Sequence, residues 1–304
     1  MSDNPFNVCL YRAFGLNIQC ELPTARIFGM SPIDHTLPDV VMRLTKVPHQ
    51  LEKADYKDAF ISIAEGCLLL NIKGVARYLI RDGKEISIDI DPGAQDGDVA
   101  TFAFGSALGA LLYQRGILAI HGSAVRTPKG AVIFSGEKGA GKSTLASALS
   151  SRGWDFMSDD VCAIHIENNT PMLYPGLSRA KLAADSYSYV YGHKPEELPI
   201  SPILKKYGAS FNNRQEPCPL YAICTLETSK GSPCIEPVIG AERLLSLTRN
   251  IYRPIIHNLV EQPVQRFRQY TLAASSSRTF RVFRPVEYSQ MSSFLEMLEE
   301  ELLA

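Results

Sequence analysis

The segment Gly136–Ser143 (GEKGAGKS) constrains the fold of this chain more than any other part of its sequence. It fits the pattern G-x-x-x-x-G-K-[ST], whose backbone N–H groups close around phosphate oxygens while its lysine reaches the β- and γ-phosphates and its hydroxyl reaches Mg²⁺. The apolar run 131–134 before it predicts a buried strand, and 143–149 after it predicts a helix. Strand, glycine-rich loop and helix in this order point the helix N-terminus at the phosphates, so we expect an α/β nucleotide-binding core. The residues expected to contact the nucleotide form the loop and the first helical turn: Gly136, Glu137, Lys138, Gly139, Ala140, Gly141, Lys142, Ser143 and Thr144.

Two adjacent carboxylates, Asp159 and Asp160, lie at the start of the predicted strand 161–166, and Asp159 follows Lys142 by 17 residues. Beside a phosphate loop, an acid near a strand end can hold Mg²⁺ through water or accept a proton from an attacking hydroxyl. Neighbouring residues of an extended segment point to opposite sides. We therefore expect one carboxylate to face the metal and the other to face the attacking group or a structural partner. A solvated turn before a strand is the alternative interpretation.

A third feature, His121, ends the apolar run 118–120 and is followed by a glycine. A lone histidine is more often a structural residue than a catalytic one. A strand end that meets a glycine, however, is typical of a place where another part of the backbone approaches closely.

Together, His121-Gly, the loop with Lys142 and Asp159-Asp160-Val resemble the HPr kinase/phosphorylase family of bacterial serine kinases. The resemblance covers about residues 121–166. The segments 241–245 and 280–285 are similar to shorter HPr-kinase-related members, some of which belong to lasso-peptide gene clusters and phosphorylate a peptide serine. The resemblance implies an α/β P-loop kinase core of the HPr kinase/phosphoenolpyruvate carboxykinase type, which differs from the commoner P-loop enzymes.

The same resemblance implies ATP and Mg²⁺ as cofactors and a role for each matching residue. The loop glycines wrap the β-phosphate, Lys142 neutralises the β- and γ-oxygens, and Ser143 ligates Mg²⁺. Asp159 or Asp160 acts as the base for an acceptor serine hydroxyl, and the other helps to hold the metal, for which we choose Asp160. His121 lies near the transferred phosphate. The expected catalytic residues are thus His121, Lys142, Asp159 and Asp160.

Two departures from the family pattern indicate that this chain has left the family's best-known substrate, and the second of them favours a kinase without the reverse reaction. Lys138 stands where the family usually has a serine, which adds a positive charge to the loop. The segment 177–186 takes the place of the glycine-containing segment that the bifunctional enzymes use for phosphorolysis.

Bulk properties favour a cytoplasmic protein, and the resemblance implies that its partner is a protein or peptide carrying a serine. The net charge of −1 creates no general attraction for nucleic acid or an anionic membrane. No apolar run approaches the ~20 residues that span a bilayer, and the N-terminus lacks the pattern of a signal peptide. The seven cysteines show no metal-binding spacing, so we expect reduced thiols. A homo-oligomer is compatible with the family.

The chain is predicted to divide near residue 95. Residues 1–95 carry recurring strand patterns, among them 8–18 around Gly15 and a hairpin of 75–80 with 85–90, which indicate a mostly antiparallel β-domain. Residues 96–304 form the catalytic domain and begin with a buried helix over 99–115.

Other segments are expected to border the site. We expect 172–182 to form a loop and a short helix, with Arg179 and Lys181 meeting phosphate charge. Tyr187, Tyr189 and Tyr191 form either an acceptor-binding wall or ordinary packing.

The expected function is ATP-dependent transfer of the γ-phosphoryl group to a serine hydroxyl of a protein or peptide, such as a ribosomally made precursor peptide. The alternatives are a kinase of a small hydroxylated metabolite and a regulator that binds ATP without phosphoryl transfer. His121 and the two aspartates argue against the regulator, because binding requires only the loop.

Overall fold

The computed structural model of the chain describes residues 9–23, 33, 36–211, 214–229 and 231–303. Within these ranges it contains one eight-stranded sheet, one seven-stranded sheet, a two-stranded sheet and the helices that pack on them. This mixed arrangement confirms the expected α/β class at that level. The predicted division near residue 95 stays a prediction, although the first sheet ends and the first helix begins close to it.

Most strands of the first sheet lie in the segment with recurring strand patterns that were predicted, but the short strand Tyr56–Lys57 was not predicted. The strands of this sheet are β1 (Cys9–Ala13), β2 (Leu16–Cys20), β3 (Val40–Leu44), β4 (Tyr56–Lys57), β5 (Ile61–Ala64), β6 (Cys67–Ile72), β7 (Ala76–Arg81) and β8 (Glu85–Ile90). Their order is β1-β2-β3-β8-β7-β6-β5-β4, antiparallel except at the pairs β2–β3 and β3–β8. The predicted hairpin is confirmed, since Asp82 and Gly83 adopt the positive φ that a tight turn needs. Val8, the start of one predicted strand, lies outside the described residues.

The second sheet carries the loop 136–141, for which phosphate binding was predicted and which we call the phosphate loop. Its strands are β9 (Leu118–Thr127), β10 (Gly130–Ser135), β11 (Asp155–Glu167), β12 (Thr170–Tyr174), β15 (Cys218–Ser229), β16 (Cys234–Pro237) and β17 (Arg278–Pro285). They follow the order β10-β9-β11-β12-β15-β17-β16, and β15 also pairs in parallel with β10, so that five strands close into a ring. The remaining strands, β13 (Arg179–Leu182) and β14 (Tyr207–Ser210), form a separate antiparallel pair.

Helices cover both faces of the second sheet. They are α1 (Asp96–Phe102), α2 (Leu108–Gln114), α3 (Lys142–Ser151), α4 (Ala184–Tyr191), α5 (Glu242–Arg249), α6 (Pro254–Val260), α7 (Pro263–Ser276) and α8 (Met291–Leu303). A π-helical turn, Ala103–Ala107, joins α1 to α2. These two helices contribute to one hydrophobic core that joins the first sheet to one face of the second, while α3 and α8 pack on the other face.

The expectation for residues 172–182 is wrong. In place of a loop and a short helix, this stretch contains β12 and β13. Ala180 and Leu182 are buried while Arg179 and Lys181 are more exposed, which is the two-residue period of a strand. The partner strand β14 follows 25 residues later, so the local sequence alone carried little sign of the pairing.

Among the described residues, no helix is both long enough and apolar enough to cross a membrane.

Candidate active site

The phosphate loop needs its glycines for its own conformation. β10 ends at Ser135 and α3 begins at Lys142, so the loop occupies the six residues between them. Gly136, Gly139 and Gly141 have φ of +130°, +88° and +94°, where residues with a Cβ are strained. A Cβ on Gly136 would also lie 2.6 Å from the carbonyl oxygen of Leu226. The motif residues are therefore those that this turn requires.

Lys142 folds back across the loop. Its Nζ donates to the carbonyl oxygens of Gly136 at 2.8 Å and Glu137 at 3.0 Å, and the residue is 8% exposed. Burial lowers the pKa of Lys142, and the neighbouring Asp159 and Asp160 offset this only in part. The loop carbonyls thus hold the ammonium group in the middle of the turn, close to both carboxylates.

Asp159 connects the loop to the sheet. Its Oδ1 accepts hydrogen bonds from the hydroxyls of Ser143 and Ser123, both at 2.6 Å, and its Oδ2 accepts the backbone N–H of Lys181 at 2.8 Å. In the pairing of β11 with β9, Met157 is an extra residue that bulges out of the ladder. Such bulges re-aim the side chains that follow them. The loop hydroxyl and this carboxylate consequently meet at one point.

Asp160 lies between two basic side chains. Lys181 Nζ is 2.8 Å from its Oδ2, and His121 Nδ1 is 3.4 Å from its Oδ1. His121 Nδ1 also lies 3.1 Å from the backbone carbonyl oxygen of Asp160. Burial alone would raise the pKa of Asp160, but the charges and hydrogen bonds of Lys181 and His121 hold it well below its usual range. Burial alone would lower the pKa of Lys181, but the charge and hydrogen bond of Asp160 raise it.

The two carboxylates do not separate to opposite sides as an extended strand predicts. Asp160 has a φ of +72°, in the left-handed region that interrupts regular β geometry. As a result both acids reach Lys181, one through its backbone N–H and the other through its ammonium group. Of the basic pair singled out in the sequence, Lys181 contacts the acids directly, whereas Arg179 lies 3.9 Å from Glu197.

The outer part of the loop differs from its inner part. Glu137 and Lys138 are exposed and Ala140 is buried. Thr144, in the first turn of α3, donates to the hydroxyl of Ser186 at 2.9 Å. The extra charge of Lys138 therefore lies at the solvent-facing rim of the loop.

Three residues at the site gave no recognisable signal in the sequence. Asn250 accepts the N–H of Gly136 at 3.0 Å through its side chain and the N–H of His121 at 2.7 Å through its backbone. A Cβ on Gly105, in the π-helical turn, would lie 3.3 Å from Tyr252 Oη and 3.6 Å from Asp160 Oδ2. Burial and the charge of Asp160 raise the pKa of Tyr252 to about 12. These residues come from distant segments, so only the fold brings Asn250 to the loop and Gly105 and Tyr252 to Asp160.

The donor groups suit ATP and Mg²⁺. A hydroxyl and a carboxylate oxygen, from Ser143 and Asp159, are hard ligands, and Mg²⁺ at nucleotide sites usually takes one or two carboxylates together with phosphate oxygens. Among the described residues there is no group of three or more His, Cys, Asp or Glu side chains that would hold a metal by themselves. The hydroxyl of Ser143 and the carboxylate of Asp159 therefore fit Mg²⁺ that is also held by phosphate oxygens.

No protein-family model matches the chain, and no curated protein matches it. Among solved structures, the chain is similar to an HPr(Ser) kinase/phosphatase from Coxiella burnetii, with 14% sequence identity and a TM-score of 0.31. The match covers 60% of this chain and 96% of the other. At this identity and TM-score, the likeness carries no inference about activity or substrate.

Proposed function

We propose that this chain is an ATP-dependent phosphotransferase of the HPr kinase type, which transfers the γ-phosphoryl group to a serine hydroxyl of a protein or peptide. The observation that carries the proposal is a pair of adjacent carboxylates, one bonded to the phosphate loop and the other paired with a lysine. Ser143 donates to Asp159 at 2.6 Å, and Asp160, the next residue, has its own cation at 2.8 Å. A protein that only binds ATP needs the loop, but it does not need a second carboxylate with a charge partner.

Ser143 and Asp159 hold Mg²⁺ in this proposal, so Asp159 takes the metal role that we assigned to Asp160 from the sequence. The support for this exchange is the shared hydrogen bond, because two oxygens 2.6 Å apart can turn to one cation. The metal, when bound, neutralises charge on the β- and γ-phosphate oxygens. Lys142, held by two loop carbonyls, meets the charge that remains.

Asp160 then orients the acceptor hydroxyl and receives its proton. Its low pKa makes it a weak base, which suits a loose transition state in which the acceptor oxygen loses its proton late. The oxygen forms a bond to the γ-phosphorus as the bond from phosphorus to the β,γ-bridging oxygen breaks, and ADP leaves. Lys181 and His121 keep the carboxylate ionised and fix its orientation.

The space beside Asp160 favours a slender acceptor. A cavity of about 10 Å³ adjoins the carboxylate and is lined by Phe14, Phe104, Leu177 and Ile200. That is room for about one water molecule, whereas pockets for small-molecule ligands usually have at least about 300 Å³. A serine side chain that enters from outside suits this space better than a sugar or another polyol does.

The test is incubation of the protein with ATP, Mg²⁺ and a library of serine-containing peptides, followed by mass spectrometry. We expect a gain of about 80 Da on serine, the mass of one phosphoryl group. Lys142→Ala should abolish the gain, because it removes the cation that meets the β- and γ-phosphates.

The alternatives give different results in the same assay. Modification of small hydroxylated metabolites with no peptide modified would indicate a metabolite kinase. Tight ATP binding with no transfer to either class of acceptor would contradict the proposal and favour a nucleotide-dependent regulator.

A further inference from the structure

The phosphate loop has two flanks, and only one of them belongs to the proposed phosphoryl-transfer chemistry. Ser143 turns towards Asp159, at 2.6 Å, whereas Thr144 turns away from it towards Ser186, at 2.9 Å. A nucleoside triphosphate whose γ-phosphate lies at the aspartates must carry its nucleoside elsewhere. Contacts to the nucleoside are therefore expected on the flank beyond Thr144.

Arg284, at the end of β17, ties one surface segment to that flank. Its Nε donates to the carbonyl oxygen of Ala140 at 2.5 Å, and its Nη2 lies 3.4 Å from the carbonyl oxygen of Gly139. A Cβ on Gly141 would come within 2.8 Å of Arg284 Nε, so this guanidinium can lie on the loop because residue 141 is a glycine. The segment 285–288 is thereby held at the edge of the loop.

This segment presents an aromatic surface. The rings of Tyr288 and Tyr189 stack with their centroids 4.6 Å apart and an angle of 19° between their planes. Tyr288 Oη lies 3.2 Å from Ser186 Oγ, the group that accepts from Thr144. Tyr288 is 38% exposed and its neighbour Val286 is 55% exposed. A fixed ring with an accessible surface thus lies two hydrogen bonds away from the first turn of α3.

We propose that the Tyr189–Tyr288 pair, together with Val286, is the binding surface for the base of the nucleotide, and that Arg284 anchors it to the phosphate loop. Aromatic rings stack on bases of any sequence, because every base has a π-face. The stack on Tyr189 leaves the orientation of Tyr288 set before a ligand binds, which reduces the entropy lost on binding. This inference rests on the proposed function in that it assumes a nucleoside triphosphate at the loop.

The opposing interpretation is that Tyr189 and Tyr288 only pack within the protein and do not contact the nucleotide. In that case, loss of the Tyr288 ring would change the affinity for every loop ligand equally, or not at all. A ligand that has the triphosphate but lacks the nucleoside separates the two interpretations.

The experiment measures dissociation constants of ATP and of inorganic triphosphate, both with Mg²⁺, by calorimetry. We expect Tyr288→Ala to weaken ATP binding about tenfold, as the loss of one base–aromatic stack does, and to leave triphosphate binding unchanged. Tyr288→Phe keeps the ring and should bind ATP as the wild type does. The matched control is Tyr191→Ala, since Tyr191 is on α4 and has the same 38% exposure, and it should not change ATP affinity.

Equal weakening of ATP and triphosphate in Tyr288→Ala, or no change in either, would overturn the inference. Failure of the wild type to bind both ligands would overturn the proposed function along with it. Selective loss of ATP affinity, in a protein that transfers phosphate to no acceptor, would support this inference and contradict only the kinase assignment.

Discussion

Asp159 and Asp160 are adjacent in the chain but have different surroundings. Asp159 accepts hydrogen bonds from two hydroxyls and a backbone N–H, whereas Asp160 faces Lys181 and His121. A carboxylate among neutral donors can turn its oxygens to a metal that enters. One fixed between two basic groups keeps its charge and its position, as an orienting base must.

The two aspartates should therefore respond differently to loss of charge. We expect Asp160→Asn to lower kcat by roughly 10²–10⁴ with little change in KM for ATP, because it removes the proton acceptor alone. Asp159→Asn should raise the Mg²⁺ concentration required for half-maximal activity by about tenfold or more. Steady-state kinetics over a range of Mg²⁺ concentrations would measure both effects. An equal shift in Mg²⁺ requirement in the two variants would contradict the division of roles.

A second buried acidic side chain, Glu261, lies away from the site. Glu261 Oε2 lies 3.3 Å from His257 Nδ1, and both side chains are almost fully buried. Burial raises the pKa of Glu261 to about 7, and it lowers the pKa of His257 to about 4. The nearby groups on α7 are Arg266 and Gln269. Both members of the pair are therefore neutral at mildly acidic pH, and Glu261 takes on a buried charge as the pH rises through about 7.

The sign of the effect follows from the raised pKa of Glu261. Its folded-state pKa is above the unfolded value, so the stability it contributes is present below the unfolded pKa and is lost as the pH rises through about 7. We expect Glu261→Gln to match the wild type in Tm at about pH 5 and to exceed it at about pH 8. Thermal unfolding across this range would measure the difference. A Tm difference independent of pH would mean that Glu261 does not titrate there.

The loop between β10 and α3 requires glycine for two reasons, its backbone conformation and the lack of space for a Cβ. At Gly139 only the backbone conformation requires glycine, since φ is +88° and a Cβ would meet nothing within 4 Å. At Gly136 the positive φ is combined with a clash against the carbonyl oxygen of Leu226 on β15. The strand next to the loop thus sets the conformation of the loop.

Alanine substitutions should separate the stability cost of backbone strain from the cost of overpacking. We expect Gly139→Ala to cost about 1 kcal/mol of stability, the strain of a left-handed residue, and Gly136→Ala to cost about 3 kcal/mol because overpacking is added. Urea unfolding measures both free energies. Equal costs would show that the loop yields at Leu226 and that only backbone strain matters.

Phe14 connects the first sheet to the cavity beside Asp160. Phe14, at the turn between β1 and β2, is 1% exposed, and its ring lines the cavity beside Asp160. Its N–H donates to the carbonyl oxygen of Pro175 at 2.6 Å. A Cβ on Gly176 would lie 2.5 Å from the ring. Because a single hydrophobic core also joins this sheet to α1, α2 and the second sheet, the two halves should unfold together.

Loss of the Phe14 ring should therefore lower the stability of both sheets together. We expect Phe14→Ala to cost about 3–5 kcal/mol and to shift the unfolding midpoint equally by circular dichroism and by fluorescence of Trp154, the single tryptophan of the chain. Phe60→Ala is the control, because Phe60 is 62% exposed and its loss should change stability by about 0.5 kcal/mol or less. A Trp154 transition that does not move, with an earlier transition by circular dichroism, would mean that the halves unfold independently.

Local sequence patterns determined several helices, strands and turns of this protein. The phosphate loop with its strand and helix, the paired strands on either side of Asp82-Gly83 and the buried helix after residue 95 follow from residue spacing, because each depends on contacts within a short stretch of chain. His121, Lys142, Ser143 and the two aspartates were also recognisable from their types and spacing. Their roles in catalysis remain proposals.

Tertiary structure decided how these residues are arranged. The left-handed backbone of Asp160, the bulge at Met157 and the pairing of β13 with β14 determine which groups each carboxylate faces. Asn250 and Tyr252 reach the loop and Asp160 from more than 90 residues away in the chain. Contacts of this kind depend on long-range packing, which has no period in the sequence, so the glycine-rich loop and the two aspartates could be picked out from the chain alone but Asn250 and Tyr252 could not.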